Sequence, residues 1–267
     1  MFLTKRSCIK IALVTALYLV LGTACIVLGV FFDSIGEADT ILYYIGFFMD
    51  FLAVVMLVSG RYNDGIGKLV ILGNKLLRTE LKPREFLAKY DSVRTSKDLV
   101  VNKPCVDVLQ CVIMAYDMLD DRESSIAVAD EMIAVADEKR KAQAMLTKVA
   151  LLFSHGRTEE AEVLFAEAQK QKYGFICTAM TDSIIKVDRA VALGDYRLAE
   201  TACLKTLERK FPKLDNYGKL ANHYKLGEVY EGLGEREKAI EHYRYCAENG
   251  GETAFPESAK NALARLG

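Results

Sequence analysis

The chain has 267 residues, with 35 Lys and Arg against 36 Asp and Glu, so its formal net charge is −1. This balance excludes a globally basic nucleic-acid binder and an acidic disordered chain. The length allows one or two domains. Hydrophobic residues make up 51% of the chain and the mean hydropathy is slightly positive, which is high for a soluble protein. The first sixty residues contribute most of this high hydropathy.

Two apolar stretches near the N-terminus predict two membrane spans. Residues 11–32 contain no charged side chain, and residues 41–59 contain only Asp50. At a rise of about 1.5 Å per residue, the first stretch crosses a ~30 Å hydrocarbon core and the second is nearly long enough. We therefore expect residues 1–62 to form a transmembrane helical hairpin, with the acidic residues 33–40 as its loop.

The charges that flank these stretches predict their orientation across the membrane. Residues 1–32 carry a net charge of +3, residues 33–60 carry −4, and residues 61–104 have ten basic and five acidic side chains. The positive-inside rule then places both termini in the cytoplasm, as in a multi-pass protein of the plasma membrane. The alternative is a cleaved signal peptide, but the apolar run continues past Cys25 and exceeds a usual signal core of about 7–15 residues.

Asp50 is the costly residue of the predicted spans. A carboxylate near the middle of a bilayer costs about 2.5–3.5 kcal/mol on insertion scales. It could make an intramembrane contact, with a polar residue such as Thr15 or with a partner protein, or it could be tolerated because the spans insert together. Thr15, Gly22 and Gly29 are spaced seven apart and predict close packing of the first span.

Residues 63–104 are expected to form basic juxtamembrane helices. Over 66–81, basic residues alternate with Leu and Ile, which predicts an amphipathic helix that packs on the next helix or lies along an anionic leaflet. Pro83 is placed to open a second helix. Residues 63–104 could therefore be a degenerate first repeat. Asn63, Asp64 and Gly65 are interpreted as a turn and not as part of a phosphate-binding loop.

From about residue 105 the chain repeats itself. Helical apolar spacing alternates with short turns, and each of four second helices has an alanine after its turn. These alanines are Ala127, Ala161, Ala199 and Ala239, at spacings of 34, 38 and 40 residues. Three of the turns have glycine five residues before the alanine, namely Gly156, Gly194 and Gly234.

The last unit, residues 220–250, resembles a tetratricopeptide repeat (TPR). The family's signature positions are occupied by Leu226, Gly227, Tyr230, Gly234, Ala239 and Tyr243. The earlier units match less closely, with Ala115, Val149 and Val187 where the family prefers Gly or Ala. The resemblance covers 105–250. It implies an all-α fold, in which the hairpin is followed by a TPR-like α-solenoid of four antiparallel helix pairs and a capping helix over 251–267.

The resemblance also implies a concave groove, lined by the first helix of each pair, that binds a protein or peptide. The matching positions are Val112, Tyr116, Leu119, Leu146, Ala150, Phe153, Ile184, Asp188, Tyr224 and Glu228. This surface would suit an amphipathic helix or an extended apolar segment. It lacks the Lys and Asn with which related arrays bind acidic chaperone tails, so that function is not supported.

No pattern indicates catalysis, a cofactor or a metal. The seven cysteines are odd in number and contain no CxxC pair, so reduced thiols are expected. His155 lies in a turn, His242 is expected on an exposed face, and His223 is expected to pack within the last pair. None has metal-ligand spacing. Residues 105–267 carry a net charge of −5, which argues against nucleic acid as a partner.

These features together predict a membrane-anchored adaptor, not an enzyme, that recruits a protein partner to the cytoplasmic face of the bilayer. The alternative is an accessory or assembly subunit of a larger membrane complex, whose spans bind integral partners. Self-association through the groove is a third and weaker possibility. The compact chain without low-complexity tails is more typical of a bacterial protein.

Overall fold

A computed structural model describes residues 2–34, 40–62, 68–97, 99–102, 104–171, 181–209 and 213–267. Most of the predicted loop 33–40, the predicted turn at 63–65 and Cys177 lie outside these residues. The chain divides into two compact units. One comprises Met1–Leu69 with Ser92–Lys103, and the other comprises Val70–Asp91 with Pro104–Gly267.

The N-terminal unit consists of two long helices and a small sheet. Helix α1 runs over Lys5–Ser34 and helix α2 over Thr40–Tyr62. Strands β1 (Phe2–Thr4) and β2 (Leu99–Asn102) pair antiparallel, an element that the sequence did not suggest. Among the described residues, one helical stretch, Cys8–Asp33, is long and apolar enough to cross a membrane, while the apolar part of α2, Ile41–Val55, is shorter.

Glycines lie where α1 and α2 contact each other. A Cβ added to Gly22 would overlap the Asp50 carboxylate, and one added to Gly29 would lie 3.3 Å from the Tyr43 ring. A Cβ on Gly46 would lie 2.8 Å from the carbonyl oxygen of Gly22. Since later residues of α1 contact earlier residues of α2, the helices run antiparallel. The small residues allow the two backbones to approach closely, as expected for Gly22 and Gly29.

The C-terminal unit is built from consecutive helices. Helix α3 (Lys68–Gly73) continues into a π-helical segment, Asn74–Thr79, and Pro83 opens α4 (Pro83–Arg94) as predicted. The remaining helices are α5 (Val106–Met118), α6 (Arg122–Val135), α7 (Glu138–Ser154), α8 (Thr158–Ala168), α9 (Lys186–Ala192), α10 (Tyr196–Leu207), α11 (Asn216–Gly232), α12 (Arg236–Asn249) and α13 (Phe255–Leu266). A π-helical segment, Thr181–Ile185, leads into α9. The pairs are α5/α6, α7/α8, α9/α10 and α11/α12, and α13 packs on α12.

Each pair closes through the same turn. One residue in each turn has a positive φ: Asp120 (+56°), Gly156 (+75°), Gly194 (+76°) and Gly234 (+73°). The N–H of the next residue donates to the carbonyl five residues earlier: Asp121 to Tyr116, Arg157 to Leu152, Asp195 to Ala190 and Glu235 to Tyr230, at 2.8–3.0 Å. This is the Schellman arrangement that ends helices on a left-handed residue. The unit is therefore a helical repeat in its backbone as well as in its sequence.

The predicted register of the first repeat is wrong by two residues. The position equivalent to Ala161 and Ala199, four residues after the turn, holds Ser125, which is fully buried. Ala127 is exposed instead. The Ser125 hydroxyl donates to the carbonyl of Arg122 at 3.0 Å, so its polar atom is satisfied in the core.

The repeat array bends until its end contacts its beginning. Four polar contacts join these parts: Arg78 Nη1 to Asp215 Oδ2 (3.0 Å), Asn216 Nδ2 to the Thr79 carbonyl (2.7 Å), Glu252 N–H to the Leu81 carbonyl (3.1 Å) and Ala254 N–H to the Met118 carbonyl (2.8 Å). The unit therefore forms a central cavity that is partly open to solvent, in place of the expected concave groove.

Candidate functional site

The central cavity has a volume of about 1300 Å³ and is the candidate site. Its wall comes from the first helices of all four pairs, α5, α7, α9 and α11. One face of α10 and the start of α13 complete it. Helices stacked side by side in this way present one stripe of side chains each toward the interior.

Five of the ten predicted groove residues line this cavity, namely Ala150, Ile184, Asp188, Tyr224 and Glu228. Three others, Val112, Leu146 and Phe153, are buried in the packed core and have no surface to offer a ligand. Tyr116 and Leu119 are half-buried and are not part of the lining. On α5 and α7, the residues that line the cavity lie about one position after the predicted groove residues. The apolar face of these helices is wide, and most of it packs between repeats.

A buried lysine and two carboxylates lie on the cavity wall. Lys225 Nζ on α11 lies 3.3 Å from Asp188 Oδ1 on α9 and 2.8 Å from Glu228 Oε2 on its own helix. Burial opposes the charged form of Lys225, but the two carboxylates outweigh it and raise its pKa. Burial raises the pKa of Asp188 despite the opposing charge of Lys225, and the nearby charges of Glu228 and Asp117 add to this effect.

A second polar group joins three of the repeats. His155 Nε2, at the end of α7, lies 3.2 Å from Asp117 Oδ1 on α5, and the Tyr217 hydroxyl on α11 donates to Asp117 Oδ2 at 3.3 Å. The His155 side chain is only 6% exposed, and its Nδ1 has no hydrogen-bond partner among the described residues. Burial, with the charge of Asp117, raises the pKa of Tyr217 well above its ordinary value.

Sequence reasoning missed Asp117, His155, Tyr217 and Lys225 as cavity residues. The only available signal was weak, since 110, 113, 114 and 117 on α5 follow helical spacing toward one side. His155 was interpreted as a turn residue because it lies next to Gly156. Its burial depends on Asp117, which is 38 residues away.

Two histidines pair outside the cavity, between α11 and α12. His223 Nδ1 lies 2.9 Å from His242 Nδ1, while Tyr245 stacks on His223 and Tyr230 on His242. The packing of His223 within the last pair is confirmed, but His242 is half-buried and not on an exposed face. Burial lowers the pKa of both rings, and for His223 the neighbouring imidazole adds to this effect.

Three thiols of this unit, those of Cys111, Cys203 and Cys246, are buried in its core. Burial raises the pKa of Cys111 to about 11 and that of Cys203 and Cys246 to about 12, so they stay protonated and unreactive. In the part of the chain that the structure describes, no three His, Cys, Asp or Glu side chains are grouped to hold a metal ion.

The arrangement can therefore hold a ligand by apolar contact and by charge. Ile184 and Leu198 expose large apolar side chains on the lining, next to the charged groups described above. No protein-family model, curated protein or solved structure matches this chain.

Proposed function

We propose that the chain is a membrane-anchored cytoplasmic adaptor of the tetratricopeptide-repeat type, whose central cavity binds a segment of a protein partner. The observation that carries this function is the cavity itself, which has one wall from each helix pair. At about 1300 Å³ it exceeds the roughly 300–1,000 Å³ typical of small-molecule sites, which favours a peptide segment.

The repeated turn supports the family assignment. Four left-handed residues with the same hydrogen bond recur at the ends of α5, α7, α9 and α11. In the last repeat, Gly227 lets α11 approach α12, since a Cβ there would lie 2.6 Å from the Tyr243 ring. Gly227, Gly234 and Tyr243 are among the positions on which the resemblance to the family rests.

The long apolar helix supports the membrane anchor. Helix α1 exposes large apolar side chains along much of its length, and so does α2 from Ile41 to Val55. Burying this surface in lipid would remove it from water. We propose that both helices insert as a hairpin, with the acidic loop outside and the repeat unit in the cytoplasm.

A pair of matched variants tests the adaptor function. Ile184 is 48% exposed on the cavity lining, whereas Val163 is 72% exposed on α8, away from the lining. Affinity purification of the full-length chain, with quantitative mass spectrometry, should recover a partner that Ile184→Glu loses and Val163→Glu retains. Equal loss in both variants, or in neither, would contradict the function.

One observation favours a second function, that of a subunit of a larger membrane complex. Thr15 Oγ1 and Asp50 Oδ1 are buried without a hydrogen-bond partner among the described residues. Polar groups in a bilayer normally find a partner, which another integral protein could supply. Asp50→Leu should then release integral membrane partners, while Phe51→Leu, at the exposed neighbouring position, should not.

A further inference from the structure

We propose that the inner part of the cavity binds a cationic side chain, Lys or Arg, carried by the partner segment. This inference rests on the proposed function, because it names the chemistry of the ligand in the same cavity. The inner part is defined here by Asp117, His155, Asp188, Lys225 and Glu228.

The first reason is an uncompensated negative charge. The inner part holds three carboxylates, those of Asp117, Asp188 and Glu228, and one ammonium, that of Lys225, which pairs with the last two. With histidine counted as neutral, two negative charges remain. Over the whole cavity lining, six basic and six acidic side chains balance, so the excess is local to the inner part. Of the other cations, Arg78 is paired with Asp215 and Arg122 with Asp120.

The three carboxylates repel one another electrostatically. Burial is the largest effect on the pKa of Asp188 and raises it, and the charges of Glu228 and Asp117 raise it further although Lys225 opposes them. Asp188 is only 11% exposed, so water screens this repulsion poorly. A ligand cation placed among the three carboxylates would relieve the repulsion and reduce the local excess to one negative charge.

The second reason is an unused hydrogen-bond acceptor. His155 can donate from Nε2 to Asp117, which leaves the lone pair on Nδ1 as an acceptor. His155 lines the cavity, and its Nδ1 is buried with no hydrogen-bond partner among the described residues. A donor that reached this atom from the cavity would satisfy it, and an ammonium or guanidinium N–H is one that also offsets the nearby carboxylates.

The third reason is the aromatic lining beside the carboxylates. Tyr217, Tyr224 and Phe255 all line the cavity, and the rings of Tyr224 and Phe255 meet edge to face with centroids 5.1 Å apart. Aromatic rings next to carboxylates are a favourable environment for ammonium and guanidinium groups. A metal ion fits less well, since no three His, Cys, Asp or Glu side chains of the described residues form a ligand group.

The test uses the full-length chain in phospholipid nanodiscs, labelled with ¹³C at histidine Cε1 and assigned with single histidine variants. N-acetyl-arginine methylamide and N-acetyl-lysine methylamide are the cationic probes. N-acetyl-citrulline methylamide has nearly the shape of the arginine probe but no charge. We expect both cations to shift the His155 resonance saturably, with an affinity about tenfold or more above that of citrulline.

Matched carboxylate variants locate the effect. Asp188→Asn and Asp117→Asn should each weaken the binding of the arginine probe about tenfold. Asp130→Asn is the control, because Asp130 pairs with Lys148 and lies away from the cavity lining. It should leave the binding unchanged.

Two results would overturn the inference: citrulline binding as tightly as arginine, or no shift of His155 with either cation. The comparison of arginine with citrulline uses the wild-type chain, so it decides the question even if a variant fails to fold. If the cations fail to bind while the partner is still lost in Ile184→Glu and retained in Val163→Glu, the adaptor function stands and only the cation site is wrong.

Discussion

Lys225 Nζ lies 3.3 Å from Asp188 Oδ1, and this contact joins the fourth helix pair to the third. Both side chains are largely buried, with 18% of the lysine and 11% of the aspartate exposed. A buried ion pair of this kind adds little to stability when both partners are present, but an unpaired buried charge is costly.

We therefore expect Lys225→Met to reduce the free energy of unfolding by about 3–5 kcal/mol, since it leaves Asp188 without its cation. The double variant Lys225→Met with Asp188→Asn should recover much of this loss. Urea denaturation followed by circular dichroism measures both. Lys238→Met removes the exposed partner of Glu235 and should change stability far less. A Lys225→Met variant as stable as the wild type would contradict the buried pair.

The turn glycines should be required for their backbone conformation alone. Gly194 has φ +76°, and an added Cβ would meet no atom within 4 Å. Gly194→Ala should therefore cost about 1–2 kcal/mol through the left-handed conformation, and Gly194→Asn should cost less. Thermal and urea denaturation compare the two variants. If alanine and asparagine were tolerated equally well, the left-handed turn would not be the reason for the glycine.

At the equivalent turn of the first repeat, we expect a change to glycine to stabilise the fold. Asp120 adopts φ +56° without being glycine. Asp120→Gly should raise the free energy of unfolding, because it removes the left-handed strain and loses only an exposed contact with Arg122. Loss of stability on this change would mean that the aspartate carboxylate matters more than the backbone.

The histidine pair predicts a loss of stability at acidic pH. Burial holds the folded-state pKa of His223 and His242 below the ordinary histidine value of about 6.5, so the unfolded chain takes up protons first as the pH falls. Their contribution is present above about pH 6.5 and is lost as the pH falls through the lowered folded pKa. The double variant His223→Phe with His242→Phe should flatten the dependence of unfolding free energy on pH between about pH 7 and pH 5. An unchanged slope would contradict this assignment.

The contact between α1 and α2 predicts a steric effect at Gly46. A Cβ there would lie 2.5 Å from Ile26 Cγ1 and 2.8 Å from the carbonyl oxygen of Gly22, so Gly46→Leu should force the helices apart. Spin labels at the exposed positions Leu17 and Val54 should report a longer or broader distance distribution in nanodiscs. Ala16→Leu, on the exposed face of α1, is the control and should not change it.

The helices and their turns could be predicted because their signals are local. Glycine at 156, 194 and 234 marks turns that only a left-handed residue closes, and Pro83 marks the start of α4. The first turn was harder, because Asp120 and Ser125 replace the expected glycine and alanine. Aspartate tolerates the left-handed region and serine is small, so both fit. Ala127 matches the expected alanine in the sequence, but Ser125 occupies the equivalent buried position, two residues earlier.

The candidate site could be predicted only in part because its contacts are not local. Arg78 contacts Asp215 across 137 residues of sequence, and this contact helps hold the end of the array against its beginning. No periodicity in a helix encodes such a contact. Phe153 and Leu146 were assigned to the groove because they are large and apolar, properties that equally suit the core where they lie.

The most direct test of the adaptor function is photocrosslinking in living cells. A photoreactive amino acid is placed at Ile184, at Leu198 or, as the control, at Val163 of the full-length chain, and crosslinked peptides are sequenced by mass spectrometry. We expect the same segment of one partner from Ile184 and Leu198 and not from Val163. The same proteins captured from all three positions, or no crosslink from the two cavity positions, would contradict a cavity that binds a partner.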